Sequence, residues 1–404
     1  MSSPSQPRVG PSGTVGPSRT VDPSGTVGPS GTVGPSGAPA TPDPTAVPPA
    51  APGARPARHY GLDVLRVVAI CGVVAIHVVG TYVANDDRRG SRNWWIATAI
   101  DIGAIWTVPV FVMISGALVL APRVHRDGPA AFYRKRFVRI IPALIAWHLI
   151  YLLVVRMLLR GEEPSAKALT QLLIDGRIYT ALYFLWLIAG LYVVAPVLAA
   201  FLAAGDERRA RTTAAVAMGW ILAAFMIAGV ANLNGTPRPI HLGAWTMWWP
   251  YVGYFLAGWA LVRVRLGGWR TVLAALLATA LLAEAVWRWG ARPDLPVAQA
   301  LFPVSYLGAS VAVAAVCVFL VALTLGDRLR PSPRIGGWLV RLSDASFGVF
   351  LVHLLLLALI QWAAPGLAIG ESLSVTLVTC VAVTVGSFAV SLAAARVPYL
   401  RAIF

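Results

Sequence analysis

The sequence predicts an all-α polytopic membrane protein, a bundle of about ten transmembrane helices preceded by a disordered tail, and three observations carry that reading. Of 404 residues, 57% are hydrophobic and only 12% charged, and the mean hydropathy is +0.71, far from the range of water-soluble domains. The apolar residues gather into segments of about 20, the length at which a helix crosses ~30 Å of hydrocarbon. The Lys and Arg behind the net charge of +16 sit in short loops between those segments. That is a topological distribution, and it excludes the single soluble basic module of a nucleic-acid-binding protein.

Residues 1–58 carry much of the Pro, Gly, Ser and Thr and almost nothing that could form a core, so they read as a disordered tail. Within it VGPSGT recurs from Val9, with imperfect copies carrying Arg19, Asp22 and Ala38. The Gly-x-y frame from Gly10 to Pro39 is broken at Arg19 and Asp22 and is too short for a stable collagen helix. The copies are also too few to complete the coils of a left-handed β-helix. The tail ends in Arg55 and Arg58, which read as the cytoplasmic flank of the first span.

The second unit, 59–404, holds ten expected spans at 62–84, 97–121, 138–159, 180–203, 213–231, 245–262, 271–288, 301–325, 345–363 and 372–395. With the N-terminus inside, the inner flanks and loops carry roughly twice the Lys and Arg of the outer ones, which places both termini in the cytoplasm of a multi-pass cell-membrane protein. Cys71, Cys317 and Cys380 all fall inside spans, without CxxC or ligand-like spacing. They read as small buried hydrophobes, with no disulfide framework and no metal site.

The first span, LDVLRVVAICGVVAIHVVGTYVA, contains Asp63, Arg66 and His77. Ionisable residues inside a span are expensive and mark functional paths. Eleven residues at about 100° each come within about 20° of three whole turns, so Arg66 and His77 share a face about 16 Å apart along the axis. A fixed cation near one membrane face with a titratable imidazole farther in suits a long anionic donor whose reactive end reaches inward. In the second span, TVPVFVMISGALVL, Pro109 is tolerated only if neighbours satisfy the freed carbonyl, and Ser115-Gly116 lets helices approach closely. Asp101 enters this span from the outer side at a depth near that of His77 and is placed to orient the imidazole.

After the second span, FYRKRFVRIIP puts Arg134, Lys135, Arg136 and Arg139 at the cytoplasmic edge, where anchoring alone accounts for each. Arg136 and Arg139, three apart on one helical face, are the phosphate-clamp candidates. His148 and Arg156 in the third span read as satisfied interhelical hydrogen-bonders. The fourth span opens on Tyr183, Phe184 and Trp186, either an interfacial aromatic belt or an acceptor site. In the seventh span Glu284 can pair with Arg288 four residues on. His353 stands about two turns into the ninth.

The chain resembles the acyltransferase 3 family of bacterial integral-membrane O-acyltransferases. The carriers are LDVLR with His77, VPVFVMISG (108–116), RFVRIIP (136–142), LYFLWLIAGLYVVAP (182–196), YVGYFLAGW (251–259) and SFGVFLVH (346–353), in this order along a ten-span chain. The resemblance implies transfer of an acyl group, most often acetyl from cytoplasmic acetyl-CoA, to a hydroxyl of an envelope polysaccharide, lipid-linked sugar or amphiphilic metabolite. It implies no bound cofactor, with acetyl-CoA as co-substrate and membrane lipids as surroundings. The family's arginine and histidine pair maps onto Arg66 and His77, and its basic segment onto Arg136 and Arg139. Many members carry a fused extracytoplasmic hydrolase-like domain, absent here, so the acceptor is expected to reach the bundle itself. The charged turn Asp86–Arg89 matches no family motif.

The mechanism consistent with both readings puts the donor nucleotide on Arg136 and Arg139 and phosphate or thioester on Arg66. Ser115 either binds the donor or permits packing. His77 then serves as general base or as a transient acyl carrier, with Asp63, Asp101, Tyr183, Trp186, Glu284 and His353 as candidate support or acceptor-site residues. The competing class, a multi-span transporter of a small solute, predicts related halves with matching interrupted helices. The Arg66 and His77 pattern has no counterpart in the sixth span.

Overall fold

The structure, a computed structural model, describes residues 60–404. The repeats and the tail expected at 1–58 lie outside the described residues. The described chain is helical and contains no strand, because backbone groups in hydrocarbon have no water to satisfy them and a helix closes its hydrogen bonds within one segment.

α1 (Tyr60–Val83) starts at what we term the proximal face and runs to the distal face. α2 (Arg92–Asp101) and α3 (Thr107–Val119) make one span of 28 residues through a 3₁₀ turn at Ile102–Ala104. Pro109 therefore sits in the first turn of α3, where a missing N–H removes no intrahelical bond. α4 (Gly128–Ile150) continues as a π-helix over Tyr151–Leu159, and the short amphipathic α5 (Ala166–Ile174) follows at the distal face. α6 (Tyr183–Ala203) returns, and α7 (Glu207–Leu233) crosses again.

The sixth expected span departs from the sequence reading. Instead of one long helix at 245–262, the chain makes turns and a 3₁₀ turn at Trp249–Tyr251, then α8 (Val252–Leu261), too short to cross alone. The passage is still completed, since Arg263 just past α8 lies 3.9 Å from Glu207 at the start of α7. Glycine is the reason the short helix fits. A Cβ at Gly258 would stand 1.8 Å from the Met113 carbonyl oxygen, and one at Gly116 equally close to that of Phe255, so α3 and α8 cross in backbone contact, as Ser115-Gly116 suggested. Leu256 and Phe255 fill the buried side.

α9 (Gly268–Ala291), α10 (Pro296–Leu301), α11 (Ala309–Gly326), α12 (Pro333–Ala363) and α13 (Leu373–Ala394) complete the bundle. Nine helices among the described residues are long and apolar enough to cross a membrane, and with the α8 passage the count agrees with about ten. This is a multi-pass membrane protein. At the proximal face Gly61 of α1 meets Gly326 of α11, and Gly336 of α12 meets Tyr60. At the distal face Asn85 Nδ2 donates to the Gly370 carbonyl (3.1 Å). Arg89 of the charged turn latches α9 there through the Gly290 carbonyl (3.0 Å) and the Trp94 ring. The most apolar windows of α7 and α9 are only 11% and 17% buried, against 61% for α12. Thus α7 and α9 present Val216, Trp220 and Leu276 outward as a lipid-facing surface, while α12 lies in the middle.

The α3–α8 contact yields a stability prediction. Gly258→Val is expected to lower the melting temperature of the detergent-solubilised protein sharply or to prevent its accumulation. Gly219→Ala on α7, where an added Cβ meets nothing within 4 Å, is expected to leave it unchanged or raise it by the ~0.4–1 kcal/mol of a helical Gly→Ala change. Equal melting temperatures for the two variants would show that the helices do not cross in contact.

Candidate functional site

The first constellation comes from α1 and α12, which run side by side in the same direction. Arg66 Nη1 donates to Ser343 Oγ (3.4 Å), and His77 faces His353 with ring centres 5.3 Å apart and planes tilted by 38°. Two helices with nearly equal spacing, Arg66 to His77 and Ser343 to His353, thus meet at two levels. Ser343 and His353 are buried, at 2% and 0% exposure. His77 lies deep in the bundle yet keeps part of its ring accessible.

The tautomer of His353 follows from its partner. Nδ1 lies 3.1 Å from the Val349 carbonyl oxygen, which can only accept, so in the neutral ring Nδ1 carries the proton and Nε2 the lone pair. That buried Nε2 has no hydrogen-bond partner among the described residues. A second buried nitrogen therefore stands ready beside His77, and a pair of imidazoles with a free lone pair can accept and pass a proton.

Tyr151 fixes the turn that carries His353. Its hydroxyl donates to the Leu351 carbonyl (2.8 Å) and accepts from the Leu355 N–H (3.1 Å), bridging the two α12 residues that flank the histidine. Side-chain insertion of this kind departs from regular helical geometry. Tyr151 opens the π-helical segment, and π segments frequently occur at functional sites. The residue carries no motif in the sequence, where it reads as one more apolar position of the third span.

At the proximal end, Arg139 lies over the Phe347 ring of α12, 5.7 Å from its centre, one turn along from the Ser343 that meets Arg66. Arg136 packs between Phe132 and Tyr192, at 5.8 and 5.6 Å, and its buried Nε has no partner among the described residues. His125 stacks on the same Phe132 ring at 4.7 Å. The structure thus brings Arg66 and Arg139 to adjacent turns of α12 and sets Arg136 beside them on α4. Asp63 is buried in the first turn of α1.

The remaining candidates separate into neighbours and residues engaged elsewhere. Asp101 lies against Gly80, where a Cβ would stand 3.5 Å from its carboxylate, one turn beyond His77 on α1, and it interacts with Tyr306. Tyr183 interacts with Tyr251 and with Tyr306, a tyrosine group the sequence scatters over three distant segments. Ser115 Oγ donates back to the Phe111 carbonyl (2.9 Å), the packing arrangement. Trp186 Nε1 donates to His148 Nε2 (3.0 Å), and His148 Nδ1 lies 2.6 Å from the Leu144 carbonyl oxygen, so both are satisfied interhelical bonders. Arg156 pairs with Glu162 at 2.6 Å, and Glu284 with Arg288 at 2.6 Å. The Arg288 guanidinium also binds the Ala298 and Phe302 carbonyls and so ties α9 to α10. Trp186 and Glu284 hold the frame and do not join the histidine pair. The three cysteines are unpaired, and no cluster of three His, Cys, Asp or Glu stands ready for a metal among the described residues.

Comparison with known proteins gives one match over nearly all of the described chain: a family model described as an acyltransferase domain, acyltransferase 3, matches residues 59–396. No curated protein and no solved structure matches.

Removing the Tyr151 hydroxyl tests its bridging role directly. Tyr151→Phe leaves the Leu351 carbonyl and Leu355 N–H without their partner and is expected to destabilise the protein by about 1–3 kcal/mol. Amide hydrogen exchange should accelerate at Leu355 ahead of the rest of α12. Unchanged exchange there would show that α12 closes its own ladder without the tyrosine.

Proposed function

The chain belongs to the acyltransferase 3 family, and from that premise we propose that it moves an acetyl group from cytoplasmic acetyl-CoA to a hydroxyl of a carbohydrate, lipid-linked sugar or amphiphilic metabolite. Membership makes it a membrane acyltransferase acting on groups other than aminoacyl. The observation that carries the site assignment is the facing pair His77 and His353, two imidazoles 5.3 Å apart, one with an unpartnered buried nitrogen.

In this reading the proximal face is cytoplasmic and the protein sits in the cell membrane, as the excess of Lys and Arg on that side supports. The donor's phosphates meet Arg136 and Arg139, whose planar guanidinium groups suit phosphate oxygens, and Arg66 meets the donor farther along. The rise of about 16 Å from Arg66 to His77 is comparable to the reach of a pantetheine arm. His77, as general base, takes the acceptor's hydroxyl proton while that oxygen bonds to the thioester carbonyl carbon. The carbon–sulfur bond breaks, and the departing thiolate takes a proton, so the products are an ester and free CoA. His353, held by Val349, supports His77 by accepting a proton at Nε2. Asp101, one turn away, favours the charged imidazolium that forms.

Two outcomes are expected. In vesicles supplied with radiolabelled acetyl-CoA and native lipid extract, wild-type protein should move label into a lipid or glycan fraction. His77→Ala, matched for amount and melting temperature, should lose at least about 100-fold, the scale of general acid–base catalysis. Equal transfer by both removes His77 from the chemistry. Absence of transfer together with acetyl-CoA-independent solute flux would move the reading to a transporter. Arg139→Gln should raise the KM for acetyl-CoA about tenfold with little change in kcat, since a charge-assisted contact of about 1.5–3 kcal/mol is lost. A fall in kcat alone would place Arg139 in the chemical step.

A further inference from the structure

The distal face carries a second basic site that the donor reading does not use. Between the end of the π-helical segment and the start of the α6 span lies an open cavity of about 410 Å³ lined by Arg156, Arg160, Arg177, Glu162 and Tyr179. Three guanidinium groups surround one carboxylate. Glu162 is engaged with Arg156 (2.6 Å) and lies 3.8 Å from Arg160, while Arg177 has no ionic partner among the described residues. A surplus of positive charge remains. Anchoring explains clustered arginines at the cytoplasmic side of a membrane protein and offers no reason for them here.

We propose that this cavity binds the phosphate group of a membrane-anchored acceptor, a lipid carrying its sugar or alcohol on a phosphate or diphosphate ester. The inference rests on the acyltransferase reading and supplies its substrate class. The recognition chemistry is the arginine fork, which matches phosphate oxygens pairwise. The π-helix shapes the site, because bonding from residue i to i+5, seen as Arg160 N–H to the Val155 carbonyl (3.2 Å), winds the chain more loosely and brings residues five apart such as Tyr151 and Arg156 nearer to one face than an α-helix would. Between the lining residues Glu162 and Arg177 the chain forms α5, which exposes Leu173 and Ile174, at 44% and 55%, an apolar edge suited to a helix lying in the interface.

The cavity is also joined to the histidine pair. Arg160 Nη2 donates to the Tyr179 hydroxyl (3.1 Å) and its guanidinium lies over the Tyr179 ring. Tyr179 stacks on Tyr151 with ring centres 4.5 Å apart, and Tyr151 bridges Leu351 and Leu355 on either side of His353. A headgroup held by the arginines therefore rests on a stacked wall that ends at the catalytic turn of α12.

The test titrates inorganic pyrophosphate into the detergent-purified full-length protein by calorimetry, without donor. Wild-type protein should bind saturably, Arg160→Gln/Arg177→Gln should weaken binding at least tenfold, and Glu162→Gln, which removes the one negative charge, should tighten it. No binding, or equal binding by wild type and the double variant, overturns the site. Competition then separates the two sources of phosphate at a membrane. Displacement of pyrophosphate by a short isoprenyl diphosphate at concentrations where short-chain phosphatidylglycerol is inert supports the acceptor assignment. Displacement by the phospholipid alone makes the cavity a lipid-headgroup site and overturns it. Because donor is absent, these outcomes are independent of the acetyl-CoA assay, and failure of either reading leaves the other measurement standing.

Discussion

A bilayer interior offers no water to complete a hydrogen bond, and this single constraint sorts the polar residues of the bundle. Most buried polar side chains are engaged locally. Thr98 and Thr324 donate to carbonyls four residues back, Ser391 donates across to Ala345, and Trp186 closes on His148. Arg288 gathers Glu284 and two carbonyls of the α10 region. Such groups hold helices together and have no capacity left for chemistry. The nitrogens that stay without a partner among the described residues include His353 Nε2, Arg136 Nε and His125 Nδ1. The first faces His77, and the other two flank the Phe132 ring at the proximal end of α4. Unpartnered ring and guanidinium nitrogens thus stand both where the proposed donor path begins and where it ends.

Keeping that capacity unmet requires a stiff frame, since a mobile helix would turn an orphan nitrogen toward the nearest carbonyl. Glycine contacts supply stiffness toward the proximal face, between α1 and α11 and between α3 and α8. Gly61 with Gly326 and Gly116 with Phe255 bring backbones together so closely that no side chain separates them. α1 and α12 are then locked in parallel at two levels, Arg66 on Ser343 and His77 on His353. The spacing along one helix is measured against a nearly equal spacing on the other. In the proposed mechanism this parallel pair acts as the ruler for the donor.

The sequence makes the bundle legible because hydropathy records burial away from water directly: the segments and their approximate number follow from it. It fails at α8, where hydropathy cannot tell a long helix from turns and a short one, since both are apolar and buried. The site is legible along one helix at a time. Arg66 and His77 share a face by simple periodicity, and Arg139 falls at the proximal edge by position. The pairing with His353 is not legible, because it depends on α1 and α12 being neighbours across 275 intervening positions. The matching interval from Ser343 to His353 is the one signal that parallel packing leaves in the chain. Tyr151 leaves none, since its role arises from a π segment that no local preference announces. For Glu284 the sequence offers both readings, and the pairing with Arg288 four residues on is the one the structure shows, while the His148 partner of Trp186 lies 38 positions away and is not legible.

The π segment bears on why one helix serves two faces. A regular α-helix from Gly128 would present residues 151 and 156 on different sides, since five residues turn it through about 500°, some 140° past a full turn. Bonding to the fifth residue winds the segment more loosely and reduces that offset, while Tyr151 bonds into α12 and Arg156 lines the distal cavity. The same α4 carries Arg136 and Arg139 at its proximal end. A change of helical pitch within one span therefore lets a single helix carry arginines at its proximal and distal ends and a tyrosine against the histidine turn between them.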